Sequence, residues 1–141
     1  MIVLDTNVLS ELAKEQPHPA VRAWANAQST PTLCATAISE AEILYGLAVM
    51  PAGRRQRALA RAMKAVFTVL LEGRVLPFDR AAAAAYADIR AARKRRGHPV
   101  PLEDLQIAAI ARSGRATAVA TRNVGHFHGF GVPTIDPWAH R

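Results

Sequence analysis

Three carboxylates in this sequence stand where a carboxylate is hard to keep. In "MIVLDTNVLSEL" the run Ile2, Val3, Leu4 reads as a buried strand, and it leads straight into Asp5. A charge at the end of a core strand is costly unless a partner stabilises it. Ligands of open α/β sheets bind outside the carboxyl ends of the strands, so Asp5 is a candidate site residue. Its competing role is N-cap of the helix "TNVLSEL". In "AISEAEILYGLAVM" the residues Ile38, Ala41, Tyr45 and Val49 form an apolar stripe at helical spacing. Glu42 falls inside that stripe, whereas Glu40 points to the other side. A buried salt bridge to an arginine is the alternative explanation for Glu42. Asp104 repeats the pattern at the head of the stripe Ile107, Ala108, Ala111 in "PLEDLQIAAIARSG", with a first-turn structural acid as its alternative.

Three convergent carboxylates raise one another's pKa and stay ionised together only with a cation among them. Oxygen donors with water completing the shell suit Mg²⁺ or Mn²⁺. "ATRNVGHF" offers a fourth contribution, because a strand ending at Thr121 places Asn123 at the same sheet edge. Zinc is disfavoured, since Cys34 is the only cysteine, and the histidines 18, 98, 126, 128 and 140 show no ligand spacing. The other acids have plainer readings. Asp79 follows an apolar run and precedes a helix, as an N-cap does. Glu11, Glu15, Glu72 and Asp88 fit solvated or helix-face positions.

The elements that would position these acids are legible from the pattern. Apolar, partly β-branched runs recur at "IVL" (2–4), "TLCAT" (32–36), "RVLPF" (74–78), "TAVAT" (117–121) and "VPTI" (132–135), with helical patterns between them. That alternation predicts an α/β domain with a mainly parallel sheet covered on both faces. At 141 residues the chain is read as a single domain, 1–141, large enough to bury a core without staples. No apolar run approaches the roughly 20 residues that span a bilayer, and Asp5 interrupts the first run too early for a signal peptide. One cysteine forms no internal disulfide, which favours a reducing, cytoplasmic setting. The net charge of +7 favours a polyanionic partner, nucleic acid before membrane. Two clusters supply it. On a helix over the fifties and sixties, Arg54, Arg57, Arg61 and Lys64 share one face, with Leu59, Met63, Val66 and Leu70 opposite. "RAARKRRG" (90–97) ends another helix, with Gly97 as its C-terminal cap. Arg93, Arg95 and Arg96 there either complement the helix dipole or extend a positive, RNA-binding surface.

Four segments, "IVLDTNVLSEL", "ATAISEAEILYGL", "PLEDLQIAAIA" and "VATRNVGHFHGFGVPTIDPW", together resemble the signature segments of PIN-domain ribonucleases, specifically toxins of the VapC type and the similar FitB group. The match runs from Met1 to about Trp138. The resemblance implies a three-layer α/β/α sandwich with a five-stranded sheet of order 3-2-1-4-5. It also implies Mg²⁺- or Mn²⁺-dependent cleavage of RNA by metal-activated water, and neutralisation by a cognate antitoxin. Position by position, Asp5, Glu42 and Asp104 match the acidic triad, and Thr6, Asn7 and Thr121 match supporting polar positions. Asn123 stands where many PIN domains carry a fourth acid, which puts a second metal site in question. Leu9, Leu12, Tyr45, Leu47 and Val49 offer more apolar side chains than the sheet absorbs, so a homodimer and an antitoxin segment in a groove beside the acids are expected. Two other readings remain open at this point. One is a non-catalytic RNA- or protein-binding module on the same fold. The other is a phosphatase using an aspartyl nucleophile, which wants an acid where Asn7 stands.

Overall fold

The structure, a computed structural model, describes residues 1–141. Its five strands are β1 (Ile2–Leu4), β2 (Leu33–Thr36), β3 (Val75–Leu76), β4 (Ala118–Ala120) and β5 (Thr134–Ile135). They form one sheet in the order β3-β2-β1-β4-β5, and every pairing is parallel. β1 is therefore central, with Val3 opposite Cys34 on one side and Val119 on the other. Because all strands run the same way, the residues that follow them share one edge. Asp5, at the end of β1, and Thr121, at the end of β4, are neighbours there.

The short strands alternate faces, and each face has its own core. Leu4, Leu33, Ala35 and Ala120 pack with Val8, Leu9, Trp24 and Met63 on one side. Val3, Cys34 and Val119 pack with Ile89, Leu105, Ile107 and Phe127 on the other. The helices are α1 (Thr6–Leu12), α2 (Pro19–Ala27), α3 (Ala37–Val49), α4 (Arg54–Ala65), α5 (Arg80–Arg96) and α6 (Leu102–Ser113). α1, α2 and α4 cover the first face, and α5 and α6 cover the second. The three-layer sandwich follows from strands that are apolar on both sides. Leu4 and Leu9 are fully buried, so truncating either to alanine costs about 2–5 kcal/mol.

Local chemistry explains most element ends. The Asp79 carboxylate accepts the Ala82 N–H at 2.9 Å and caps α5. Gly97 ends that helix in the left-handed region, φ 73°, where a side chain would be strained. On α4, Arg54, Arg57, Arg61 and Lys64 are exposed, while Met63 and then Val66 are buried. Beyond Ala65 the backbone widens into a π turn, Val66–Leu70, which closes with the Leu71 N–H on the Val66 carbonyl.

Three expectations are corrected here. The buried face of α3 is not Ile38, Ala41, Tyr45 and Val49. It is Ser39 and Ile43, with Leu47 half-buried, whereas Tyr45 is 71% and Val49 62% exposed. The helix is apolar nearly all round, so spacing alone could not choose its inward side. The apolar surplus assigned to a partner likewise shrinks: Leu9 is fully buried, Leu12 and Leu47 are half-buried, and only Tyr45 and Val49 remain open. Glu11 is also not a solvated acid. It is 8% exposed, paired with Lys14 at 2.7 Å, and it accepts the His18 N–H at 2.8 Å.

Candidate active site

Asp5 is 3% exposed, and each of its oxygens has a donor. Oδ1 accepts the Thr6 N–H at 2.7 Å, so the N-cap reading holds for α1. Oδ2 accepts the Thr121 hydroxyl at 2.7 Å and the Asn7 amide at 3.3 Å. Capping and site membership are thus compatible. Asn7 in turn accepts the Arg122 N–H at 3.2 Å, which ties α1 to the end of β4. All the donors to Asp5 are neutral. Burial pushes its carboxyl pKa up, and the nearby Asp104 adds to the rise; the bonds from Thr121 and Thr6, and His126, oppose it.

Glu42 is half-buried on α3 and accepts the Thr6 hydroxyl at 2.9 Å. No arginine or lysine pairs with it, which removes the salt-bridge explanation. A hydroxyl has one proton and a carboxylate only accepts, so Thr6 donates to Glu42. Ser39, fully buried and 2.9 Å from Thr6, then supplies its own proton to the Thr6 oxygen. The result is a file of hydroxyls aimed at Glu42. Desolvation raises the Glu42 carboxyl, Thr6 opposes it, and Asp5, Glu103 and Asp104 push it up further.

Asp104 lies in the first turn of α6, and its Oδ2 is 2.6 Å from Nδ1 of His126. The histidine follows β4 on a short 3-10 turn, Val124–Phe127, anchored by the buried Phe127. His126 is the site residue that the sequence did not reveal. It has no partner at ligand spacing in the chain and meets Asp104 only through the fold. Ser39 was likewise silent, since a serine inside an apolar helix has no distinguishing signal.

Asn123 reaches the same edge, but through its backbone. Its N–H donates to the Thr121 hydroxyl at 3.0 Å and its carbonyl accepts the His126 N–H at 2.9 Å. The side chain is exposed and makes no hydrogen bond to the acids. In this arrangement Asn123 ties the end of β4 to His126 through its backbone.

The acids come from β1's end, α3 and α6 and sense one another electrostatically. As they stand, no three His, Cys, Asp or Glu side chains are drawn together tightly enough to hold a metal ion. Each carboxylate is instead relaxed onto protein donors: Asp5 on Thr121, Thr6 and Asn7, Glu42 on Thr6, and Asp104 on His126. The donor chemistry nevertheless fits a hard divalent cation, being carboxylate oxygen without any Lys or Arg partner.

Of the basic residues, Arg54, Arg57, Arg61, Lys64, Arg95 and Arg96 are exposed and in no ion pair. Arg93 is partly taken up by the fold. Its Nε donates to the His98 carbonyl at 2.9 Å and its guanidinium lies 5.4 Å from the Phe130 ring centroid.

A parallel sheet of this order with three acids at its carboxyl edge defines a class, and residues 2–128 match the PIN domain family. The chain belongs to the PIN-domain family and, within it, to the group of VapC and FitB toxins. It is 45% identical over 138 residues to VapC ribonuclease Y4jK of Sinorhizobium fredii, covering 98% of each chain. It is 38% identical to Toxin FitB of Neisseria gonorrhoeae, covering 98% of this chain and 99% of that one. The structure of FitAB bound to an IR36 DNA fragment superposes with a TM-score of 0.89 at 37% identity, over 100% of this chain and 98% of the other.

Proposed function

We propose that residues 1–141 act as one PIN domain, a Mg²⁺- or Mn²⁺-dependent endoribonuclease that is the toxin of a toxin–antitoxin pair. What supports this reading is that Asp104 raises the Asp5 carboxyl and both raise Glu42, while no Lys or Arg pairs with any of the three. The relatives named for ribonuclease and toxin activity, at 45% and 38% identity over nearly the whole chain, support it.

On this reading Asp5, Glu42 and Asp104 hold the ion. When bound, such an ion lowers the pKa of a ligated water and neutralises charge building on the phosphoryl oxygens. Thr121, Thr6 and Asn7 orient Asp5, and the Ser39–Thr6 hydroxyl file orients Glu42. His126 fixes Asp104 from the other side, the kind of outer contact that tunes a ligating carboxylate. Asn123 holds Thr121 and His126 through its backbone. Arg54, Arg57, Arg61, Lys64, Arg95 and Arg96, with what remains free of Arg93, engage RNA phosphates, which makes binding salt-dependent.

The proposed partners use α3. Leu44, Tyr45 and Val49 are 59%, 71% and 62% exposed, a surface suited to a second copy of this chain. A cavity of about 260 Å³ opens beside Thr6 and Glu42 and is lined by Ile43, Leu47, Leu59 and Met63. An antitoxin segment would lie in this slot next to the acids. No helix is long and apolar enough to cross a membrane, and a cytoplasmic location is part of the proposal.

The deciding experiment is brief induction followed by mapping of cleavage ends in total RNA, with Asp5→Asn beside the wild type. Specific ends that vanish in the variant are expected, and ends of equal abundance in both would refute the assignment. A second reading, a non-catalytic RNA- or protein-binding module, is favoured by the ungathered state of the acids. Calorimetric titration with Mn²⁺ separates the two, since the module binds no ion.

A further inference from the structure

A second feature lies at the start of α6. α5's last turns, the linker "GHPVP" and the start of α6 border an open cavity of about 380 Å³. Arg90, Arg93, Lys94 and His98 line it, no acid does, and Val100, Leu102 and Leu105 form its apolar floor. Cations at the end of α5 complement the helix dipole, but that explanation needs neither a cavity nor fixed side chains. Here two of the cations are held in place by groups that leave their charge intact. Arg90 donates to the Tyr86 hydroxyl at 3.0 Å and lies 5.8 Å from that ring's centroid. Arg93 is held by the His98 carbonyl and the Phe130 ring. None of the cavity's basic residues is in an ion pair. An arginine pinned by neutral partners loses less conformational freedom on meeting an anion than a free one does.

The location adds a second argument. Leu105, in the floor, is the residue after Asp104, and one turn of helix rises only about 5.4 Å. The cavity and Asp104 thus share the first turns of α6. Leu102 is 47% exposed with nothing packed over it. A bare phosphate has no use for the apolar floor, whereas a nucleotide presents a phosphate to the cations and a base or ribose to Val100, Leu102 and Leu105.

We infer that this cavity is a nucleotide subsite, taking one unit of single-stranded RNA beside the cleavage site. The inference rests on the ribonuclease reading for its substrate, but its test needs no cleavage. Fluorescence anisotropy of a labelled single-stranded RNA oligonucleotide is measured in EDTA against the wild type, Arg90→Ala/Lys94→Ala and Leu102→Glu. Thermal melts check that each variant is folded. The double variant is expected to bind on the order of tenfold more weakly at 0.1 M salt. Its plot of log affinity against log salt becomes shallower by about 1.4, that is, 0.7 for each lost phosphate contact on a single strand. Leu102→Glu weakens binding without removing a cation. A 4-thiouridine cross-link on the wild type maps to residues 90–105.

Unchanged RNA affinity and salt slope in both folded variants overturn the subsite. So does unchanged RNA affinity accompanied by weaker binding of a poly-glutamate peptide, which would assign the cavity to an acidic protein segment. A wild-type chain that binds RNA at this cavity but never cuts it sinks the nuclease reading and leaves the subsite standing.

Discussion

Asp5 caps the short helix α1 and Glu11 lies in its last turn, and both are buried, yet the fold treats them in opposite ways. Glu11 has a lysine at 2.7 Å and a backbone N–H at 2.8 Å. Its pKa is lowered, first by the hydrogen bond from Lys14. Asp5 has three donors to the two of Glu11, but all are neutral, its carboxylate neighbours are repulsive, and its pKa is raised by burial. Counting hydrogen bonds would rank Asp5 the better satisfied of the two. What separates them is formal counter-charge: Glu11 is completed by its own surroundings, whereas the edge containing Asp5 retains a negative excess that a cation from outside would balance.

That contrast can be broken in several ways, the most drastic first. Asp5→Asn is expected to reduce metal-dependent RNA cleavage by more than about a hundredfold in single-turnover assays, because it removes a proposed ligand. The same variant should melt no lower than wild type at pH 7. Its amide keeps the cap and sheds a charge that the folded state disfavours. A marked fall in melting temperature would place Asp5 with Glu11, as a structural acid. Next, Mn²⁺ at about 100 times its Kd should stabilise the wild type by about 2.7 kcal/mol in calorimetry. Glu42→Gln should blunt that gain and Glu11→Ala should leave it whole. Third, His126→Ala should weaken Mn²⁺ binding about 10- to 100-fold, with partial recovery in His126→Asn, as read by titration calorimetry.

The smallest effect concerns Glu11. Glu11→Ala strands the His18 N–H and should cost about 1–2 kcal/mol in urea unfolding at pH 7, with cleavage unaltered. A lowered folded-state pKa means that the Glu11 contribution is present above the unfolded value of about 4.3 and fades as pH drops through the folded one. The gap between wild type and variant should therefore close on acidification. For Asp5 the sign reverses: its folded-state pKa is raised, so the folded chain takes up that proton more readily than the unfolded one. Relative to Asp5→Asn, the wild type should recover stability as pH falls. Parallel curves for the two acids would remove the distinction drawn between them.

Much of the frame was legible because it depends on neighbours in sequence. Strands buried on both faces must be apolar throughout, so "IVL" and "TAVAT" announced themselves. Asp79 and Gly97 are cap residues with local partners only. The α4 face of Arg54, Arg57, Arg61 and Lys64 followed from helical periodicity against Met63 and Val66. The inward side of α3 did not follow. When apolar residues surround a helix, the side that packs is chosen by how β2 delivers the chain into it, and Thr36 fixes that entry by accepting the Ser39 N–H. Arg93 reads as one more member of a basic run until Phe130 and the His98 carbonyl are seen beside it.

The sequence alone singled out three acids and raised the expectation of a common partner, although the stripe that drew attention to Glu42 is not the buried face of α3. Only the folded chain decided what surrounds them. Thr121 reaches Asp5 across 116 positions and His126 reaches Asp104 across 22. Parallel pairing brings strand ends together however far apart they lie along the chain. A residue type tells what a side chain costs to bury, whereas the company it keeps is set by which strands become neighbours.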